Sequence, residues 1–148
     1  MAESNGGKLS ILPMASAIIR DSMGRVLLLK RSGKSRYGRG LWQFPEGRLE
    51  FGEEPIEAVS REVEEETQCR FKPQDNGVVA VNSEIIEVEG DRYQLLRLVY
   101  AGSLEGEISV GDEHSEFGWF GVSDILEKKD IMAGVREAVR TYAERDVK

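Results

Sequence analysis

The chain has 148 residues, of which 20 are Lys or Arg and 27 are Asp or Glu, and its formal net charge is −7 at pH 7. This length accommodates one ordinary domain and is too short for two. An apolar fraction of 40% excludes a disordered or collagen-like chain. The negative charge disfavours broad binding to nucleic acid or to anionic lipid, so binding of phosphates requires a local basic patch or a bound cation.

The cysteine content and the hydropathy pattern bear on the compartment. The single cysteine, Cys69, has no partner for an internal disulfide, which is typical of proteins in reducing compartments. The longest uncharged run, residues 9–19, is interrupted by Pro13 and is too short to cross a membrane. The apolar stretch before residues 15–17 is also too short for the core of a signal peptide. We therefore expect a cytoplasmic protein with no membrane partner.

The first part of the chain predicts β-structure. Residues 1–8 are small and polar, so we expect a flexible leader before a single domain over residues 9–148. A β-branched, apolar segment is then followed by a turn and a second apolar run, a pattern that predicts a hairpin. The second run lacks polar alternation, which indicates burial on both faces. The predicted strands are residues 9–20, 25–30 and 41–44, with a basic, glycine-rich loop over residues 31–40.

The spacing of apolar residues predicts two amphipathic helices. The first begins at Pro55, because proline fits the first helical turn, and Ile56, Val59 and Val63 form its apolar stripe. Strands alternating with helices predict an α/β fold, here an α/β/α sandwich with a central mixed sheet and the two helices on opposite faces. The remaining predicted segments are strands over residues 77–88 and 92–101, a tight turn at 89–91, a short apolar piece at 119–122 and the second helix over 131–145.

The first helix carries a cluster of carboxylates. At about 100° per residue, Glu65 and Glu66 lie about 60° and 40° to either side of Glu62, so the three share one face. Like charges at this spacing destabilise an exposed helix by about 0.2–0.5 kcal/mol per pair. The cluster is therefore either a solvated acidic face, partly neutralised by Arg61, or a site for a hard cation such as Mg²⁺ or Mn²⁺.

The segment from Gly47 to Cys69 closely resembles the Nudix box, G-x5-E-x7-R-E-U-x-E-E-x-G-U, in which U is aliphatic. Residues 42–45 before the box, and residues 113–114 and 119–120 after it, are also similar to the family. The box positions that match are Gly47, Glu53, Arg61, Glu62, Val63, Glu65 and Glu66, with Cys69 in the final aliphatic position.

The chain departs from the family pattern at two positions. Gln68 replaces the box glycine, and Glu46 replaces the first glycine of the Gly-Gly pair that often precedes the box. At residue 68 we predict a left-handed end of the helix, which costs glutamine about 1 kcal/mol relative to glycine. Glu46 adjoins Gly47 and either helps or obstructs the site.

Resemblance to the Nudix hydrolases, and to their MutT-like members, implies hydrolysis of a nucleoside diphosphate linked to another moiety, such as an NDP-sugar, an ADP-ribose or a nucleoside triphosphate. It also implies a Mg²⁺ cofactor, with Mn²⁺ as an alternative ion. The implied ion ligands are Glu62, Glu65, Glu66 and the Gly47 carbonyl. The implied catalytic residues are Arg61, which would orient the glutamates, Glu53, which would support the site or bind a second metal ion, and a general base in the box or in a later loop, for which Glu65, Glu113 and Glu116 are candidates.

Weaker signals concern the substrate. Five cations occur within residues 30–39, and Arg36 and Arg39 are the candidates for binding phosphates, the alternative being a solvated loop. His114, the only histidine, is either a loop residue near the substrate or a surface residue. We favour the core over base stacking for most of the aromatic residues in the strands, which are Trp42, Phe44, Tyr93, Trp119 and Phe120.

These observations define the expected partners and one alternative function. The partner implied is a small-molecule nucleotide, nucleic acid is not expected, and a homodimer is compatible with the composition. A catalytically silent Nudix-fold sensor that only binds a nucleotide is the alternative from a different class. The complete glutamate set argues against the sensor, because a pure binder does not need it.

Overall fold

The computed structural model describes residues 7–75 and 77–146, and most of the predicted leader over residues 1–8 lies outside them. Within the described residues, no helix is long and apolar enough to cross a membrane. The elements in chain order are β1 (Leu9–Ile19), β2 (Val26–Arg31), β3 (Trp42–Gln43), β4 (Glu46–Arg48), α1 (Pro55–Thr67), β5 (Arg70–Pro73), β6 (Ala80–Val88), β7 (Asp91–Glu105), β8 (His114–Phe120), α2 (Val122–Glu127) and α3 (Ala133–Asp146).

The strands form two sheets. The larger sheet has the order β4-β1-β7, and both β5 and β6 pair with the far edge of β7. Its β1–β7 pair is parallel and its other pairs are antiparallel, so the sheet is mixed as predicted. The smaller sheet is antiparallel, with the order β3-β2-β8.

Helices cover opposite sides of this framework, which confirms the predicted sandwich. Alternate side chains of β1 point to different cores, because successive residues of a strand face opposite sides. Met14 and Ile18 pack in the core that contains the apolar residues of α3. Ala15 and Ile19 pack in the core that contains Ala58, Val59 and Val63 of α1.

Helix α1 begins and ends where the sequence predicts. The Glu57 carboxylate accepts a hydrogen bond from the Glu54 backbone N–H at 2.9 Å, which satisfies an unpaired amide before the proline turn. The helix ends at Thr67, and Gln68 adopts a left-handed conformation with φ 63° and ψ 22°. This confirms the predicted left-handed end and places a non-glycine residue in a conformation that glycine favours.

The predicted hairpin of the first two strands is wrong. Strands β1 and β2 lie in different sheets and share only the Arg20–Val26 bridge. The physical reason is that β7 pairs with one edge of β1 along its whole length and β4 pairs with the middle of the other edge at Met14–Ser16, so β2 meets β1 only beyond its end. The turn itself is real, since the Asp21 side chain accepts backbone hydrogen bonds from Met23 and Arg25. Burial of β2 on both faces is confirmed.

Other boundaries also differ from the prediction. The tight turn at residues 89–90 joins β6 and β7 as expected, but β7 extends beyond the predicted end at residue 101. The last helix starts at Ala133, because Ile131 forms a bridge with Trp42. Three short elements, β4, β5 and α2, were not predicted, since each has too few residues to show a periodic pattern. The predicted loop around His114 and Glu116 is wrong from residue 114 onwards, because these residues pair with β2 as part of β8.

Candidate active site

A cavity of about 980 Å³ opens between α1, β4 and the loop that precedes β8. The basic loop over residues 31–40 forms another of its walls. Three of the site residues predicted from the sequence lie in the described part of the chain but do not line the cavity: Glu53, Arg61 and Arg39. The sequence-predicted site residues that do line it are Arg36, Gly47, Glu62, Glu65, Glu66, Glu113 and His114.

The helical spacing brings Glu62 and Glu66 to the same wall, one turn apart. Gly47 on β4 lies directly against the first of them. A Cβ atom at residue 47 would lie 2.0 Å from the Glu62 carboxyl carbon, closer than any real contact. The absence of a side chain at Gly47 therefore permits the approach of the helix carboxylate to the β4 backbone.

Glu66 is a carboxylate in an unfavourable environment. Burial raises its pKa well above the ordinary value, and the negative charges of Glu62, Glu46 and Glu113 raise it further. Its side chain accepts a hydrogen bond from the Glu46 backbone N–H at 3.0 Å. Burial also raises the pKa of Glu62, although Arg61 opposes this effect. Both carboxylates would be stabilised by a nearby cation.

Arg61 lies outside the cavity lining and forms hydrogen bonds with several acidic residues around it. Its guanidinium donates to both carboxylate oxygens of Glu53, at 2.8 and 3.0 Å, and to Glu62 Oε2 at 2.6 Å. Hydrogen bonds from Arg61 lower the pKa of Glu53, so that carboxylate is held ionised. Glu65 makes a longer contact of 3.5 Å, and its side chain is 59% exposed. Arg61 therefore orients Glu62 firmly and Glu65 loosely.

The donor chemistry of this wall suits a hard cation. Among the described residues, no three Asp, Glu, His or Cys side chains already stand in an arrangement that holds a metal ion. Glu62 and Glu66 nevertheless share one wall of the cavity, and both have raised pKa values because of burial. These two carboxylates, the adjoining Gly47 backbone and the exposed Glu65 carboxylate form an all-oxygen set, which Mg²⁺ and Mn²⁺ prefer.

His114 lies in the cavity wall as a buried neutral ring. Arg31 donates to Gln43 Oε1 at 2.7 Å, which orients the amide so that Gln43 Nε2 donates to His114 Nε2 at 3.2 Å. The ring proton is thereby assigned to Nδ1. Burial, followed by the charge of Arg31, lowers the pKa of His114 to about 4. His114 is therefore neither a surface residue nor a cation at neutral pH.

The basic loop is attached to the segment that carries Glu113. The backbone N–H of Ser32 and the hydroxyl of Ser35 both donate to the Glu113 carbonyl, at 2.9 and 3.0 Å. Arg36 lines the cavity with a side chain that is 70% exposed and pairs with Glu89 at 3.3 Å. Arg39 instead donates to the Ser35 carbonyl at 2.6 Å, so it stabilises the loop.

Several residues of the site were not predicted from the sequence. The aromatic residues in the strands pack in the cores as expected, with Trp42 and Phe120 in edge-to-face contact at 5.0 Å. The cavity is lined instead by Tyr37, which stacks on Arg31, and by the fully exposed Phe51. Phe51 lies inside the box between Gly47 and Glu53, which is the one signal that could have identified it. Gln43 lies in residues 42–45, which resemble the family, and Arg31 is one of the five cations of residues 30–39, whereas Tyr37 carries no comparable signal.

The chain is similar in sequence to curated proteins and in structure to solved proteins. A protein of Haemophilus influenzae named 8-oxo-dGTP diphosphatase is 35% identical over 77 residues, which cover 52% of this chain and 49% of that protein. A protein of Myxococcus xanthus named octanoyltransferase is 31% identical over 128 residues, covering 82% of this chain and 33% of that protein. The chain thus matches half or less of the length of these curated relatives.

The solved structure of a MutT protein from Methanosarcina mazei Go1 superposes with a TM-score of 0.79 at 26% identity, covering 97% of this chain and 99% of that chain. At this coverage the similarity includes both sheets and helix α1, which carries Glu62 and Glu66. The sequence model described as the NUDIX domain matches residues 12–142. The resemblance of the box is therefore confirmed, and the chain belongs to the Nudix hydrolase family.

Proposed function

We propose that the protein hydrolyses a pyrophosphate bond in a nucleoside diphosphate linked to another moiety, and that it releases a nucleoside monophosphate. The observation that carries this proposal is that Glu62 and Glu66 lie on one wall of a large cavity and that both carboxylates have raised pKa values. Lys34 and Arg36 line the same cavity and supply positive charge for phosphate oxygens. Membership of the Nudix hydrolases supports the reaction class.

The proposed cofactor is Mg²⁺, with Mn²⁺ as an alternative ion. Glu62, Glu66 and Glu65, together with the Gly47 carbonyl, would hold it. When bound, such an ion would supply positive charge that lowers the pKa of water and neutralises the diphosphate. Arg61 keeps Glu62 in place through its 2.6 Å hydrogen bond, and Glu53 keeps Arg61 in place from the other side.

The protein must also accept the proton of the attacking water. We assign this role to the Glu113 carboxylate, with Glu65 as the alternative. Glu113 is close enough for its charge to raise the pKa values of both Glu62 and Glu66. Glu116 does not line the cavity and pairs with Lys30 at 3.7 Å, which argues against it as the base. His114 is held neutral and would position substrate as a hydrogen-bond donor through Nδ1.

Among the substrate classes, we place nucleoside triphosphates first. The support is the name of the Haemophilus influenzae relative, 8-oxo-dGTP diphosphatase. Tyr37 and Phe51, on the cavity wall, offer aromatic surface for a base. NDP-sugars and ADP-ribose are the remaining classes.

A screen of nucleotide substrates with Mg²⁺, with products identified by chromatography, tests the proposal. We expect a nucleoside monophosphate among the products of every substrate that reacts, because the pyrophosphate bridge is cleaved. Release of orthophosphate alone from all substrates would contradict the reaction. Nucleotide binding without turnover in either Mg²⁺ or Mn²⁺ would instead support a silent sensor.

A further inference from the structure

Glu46, the departure from the Gly-Gly pair, connects the cavity to the interior. Its backbone N–H donates to Glu66 Oε1 at 3.0 Å, and this is the one hydrogen bond to the Glu66 carboxylate within residues 7–75 and 77–146. Its own side chain is 1% exposed and points into the sheet toward Arg97. The orientation of Glu66 therefore depends on where the Glu46 backbone is held.

Three side-chain hydrogen bonds fix the Glu46 carboxylate. Ser16 Oγ, on the neighbouring strand β1, donates to Oε1 at 2.6 Å. Arg97, on β7, donates to Oε1 through Nε at 2.8 Å and to Oε2 through a terminal nitrogen at 3.2 Å. A guanidinium that contacts both oxygens of a carboxylate restricts its rotation as well as its position.

Arg97 is itself fixed from the opposite side. Its guanidinium is fully buried and also donates to Glu84 Oε1 on β6 at 2.5 Å. That oxygen accepts a second hydrogen bond, from the Gly134 backbone N–H at the start of α3, at 3.1 Å. A Cβ atom at residue 134 would lie 2.1 Å from Arg97, so Gly134 allows the helix to approach.

From this connected set we propose that Arg97 is a positioning residue for Glu66, acting through Glu46. The inference rests on the proposed role of Glu66 as an ion ligand. Under this proposal Glu46 helps the site rather than obstructing it, because Ser16 and Arg97 hold its carboxylate while its backbone N–H binds Glu66. Where the family pattern has a flexible glycine, the bound side chain of Glu46 therefore fixes the position of the β4 backbone.

Calorimetric titration of the full chain with Mn²⁺ tests the inference without relying on activity. The variant Arg97→Lys keeps the charge but loses the two-point contact with Glu46, and we expect its dissociation constant for Mn²⁺ to rise by about tenfold. Glu84→Gln is the matched control, because it weakens the other contact of Arg97 and leaves the Glu46 carboxylate bound. We expect the dissociation constant of that variant for Mn²⁺ to change by less than about twofold.

Thermal unfolding of each variant separates positioning from general loosening of the fold. Equal changes in Mn²⁺ affinity in Arg97→Lys and Glu84→Gln, or no change in Arg97→Lys, would overturn the inference. If Arg97→Lys does not fold, Ser16→Ala is the test, because it removes one hydrogen-bond donor to Glu46 without changing the charge. Unchanged Mn²⁺ affinity in Ser16→Ala would also overturn the inference. Absence of Mn²⁺ binding to the unmodified protein would count against the proposed function itself.

Discussion

Two arginines organise the carboxylates of this protein, and they do so in different environments. Arg61 lies outside the cavity with 25% of its side chain exposed, and its partners Glu53 and Glu62 are each 15% exposed. Arg97 is fully buried, as is its partner Glu46. Ion pairs that water partly reaches contribute less to folding than buried pairs, in which removing one member leaves a charge without compensation. Arg61 therefore holds carboxylates of the proposed site, whereas Arg97 and Glu46 also support the fold.

Replacing each arginine with methionine should produce the largest difference between the two clusters. Arg97→Met leaves Glu46 without its charged partner inside the protein, and we expect a loss of about 3–5 kcal/mol in the free energy of unfolding. Arg61→Met should lose less, about 1 kcal/mol, because Arg61 and its two glutamates are only partly buried. Urea unfolding measures both values, and similar losses in the two variants would contradict the distinction.

The buried, neutral His114 should make the free energy of unfolding depend on pH. Its pKa is lowered to about 4 in the folded state, while the unfolded side chain titrates near 6.5. Between these values the unfolded chain binds more protons, so the free energy of unfolding falls as the pH falls. The full contribution is about 3 kcal/mol, from about 2.5 pKa units at about 1.36 kcal/mol each.

Unfolding measured at pH 7, 5.5 and 4.5 in the unmodified protein and in His114→Asn isolates this contribution. Asparagine keeps an acceptor for Gln43 but does not titrate, so its stability should change less over this range. Parallel pH profiles of the two proteins would show that His114 already has an ordinary pKa in the folded state.

A smaller effect concerns the backbone at the end of α1, where no charge is involved. Gln68 has φ 63°, so Gln68→Gly should relieve strain and raise stability by up to about 1 kcal/mol. Glu64→Gly, at an exposed position within the helix, should instead lower stability by about 1 kcal/mol. Thermal unfolding distinguishes them, and a large loss in Gln68→Gly would indicate a side-chain contact beyond the 3.2 Å hydrogen bond to the Glu65 carbonyl.

The features that local spacing determines were predicted from the sequence. The shared face of Glu62 and Glu66 follows from helical geometry, and the left-handed end at Gln68 follows from the position of the box glycine. The opposite faces for the two helices follow from their apolar stripes. Each of these depends on residues close together in the chain.

The features that depend on distant pairing could not be predicted. Arg97 stands in an apolar strand, and only the register of β1, β4, β6 and β7 brings Glu46 and Glu84 to it. The position of β2 in the second sheet likewise depends on which strands occupy the edges of β1. Gln43 and His114 meet because β2 pairs with both β3 and β8, which no local pattern encodes.

If Glu66 belongs to a cation site, Glu66→Gln should show it in both Mn²⁺ binding and hydrolysis. Glutamine keeps the size of the side chain but removes one anionic ligand, so Mn²⁺ affinity and hydrolysis should fall by orders of magnitude. Stability without metal should hold or rise, because burial and like charges already disfavour the ionised Glu66. Glu64→Gln, at the exposed free position of the box, should match the unmodified protein in both measurements. Equal losses in the two variants, or normal Mn²⁺ binding in Glu66→Gln, would contradict the account.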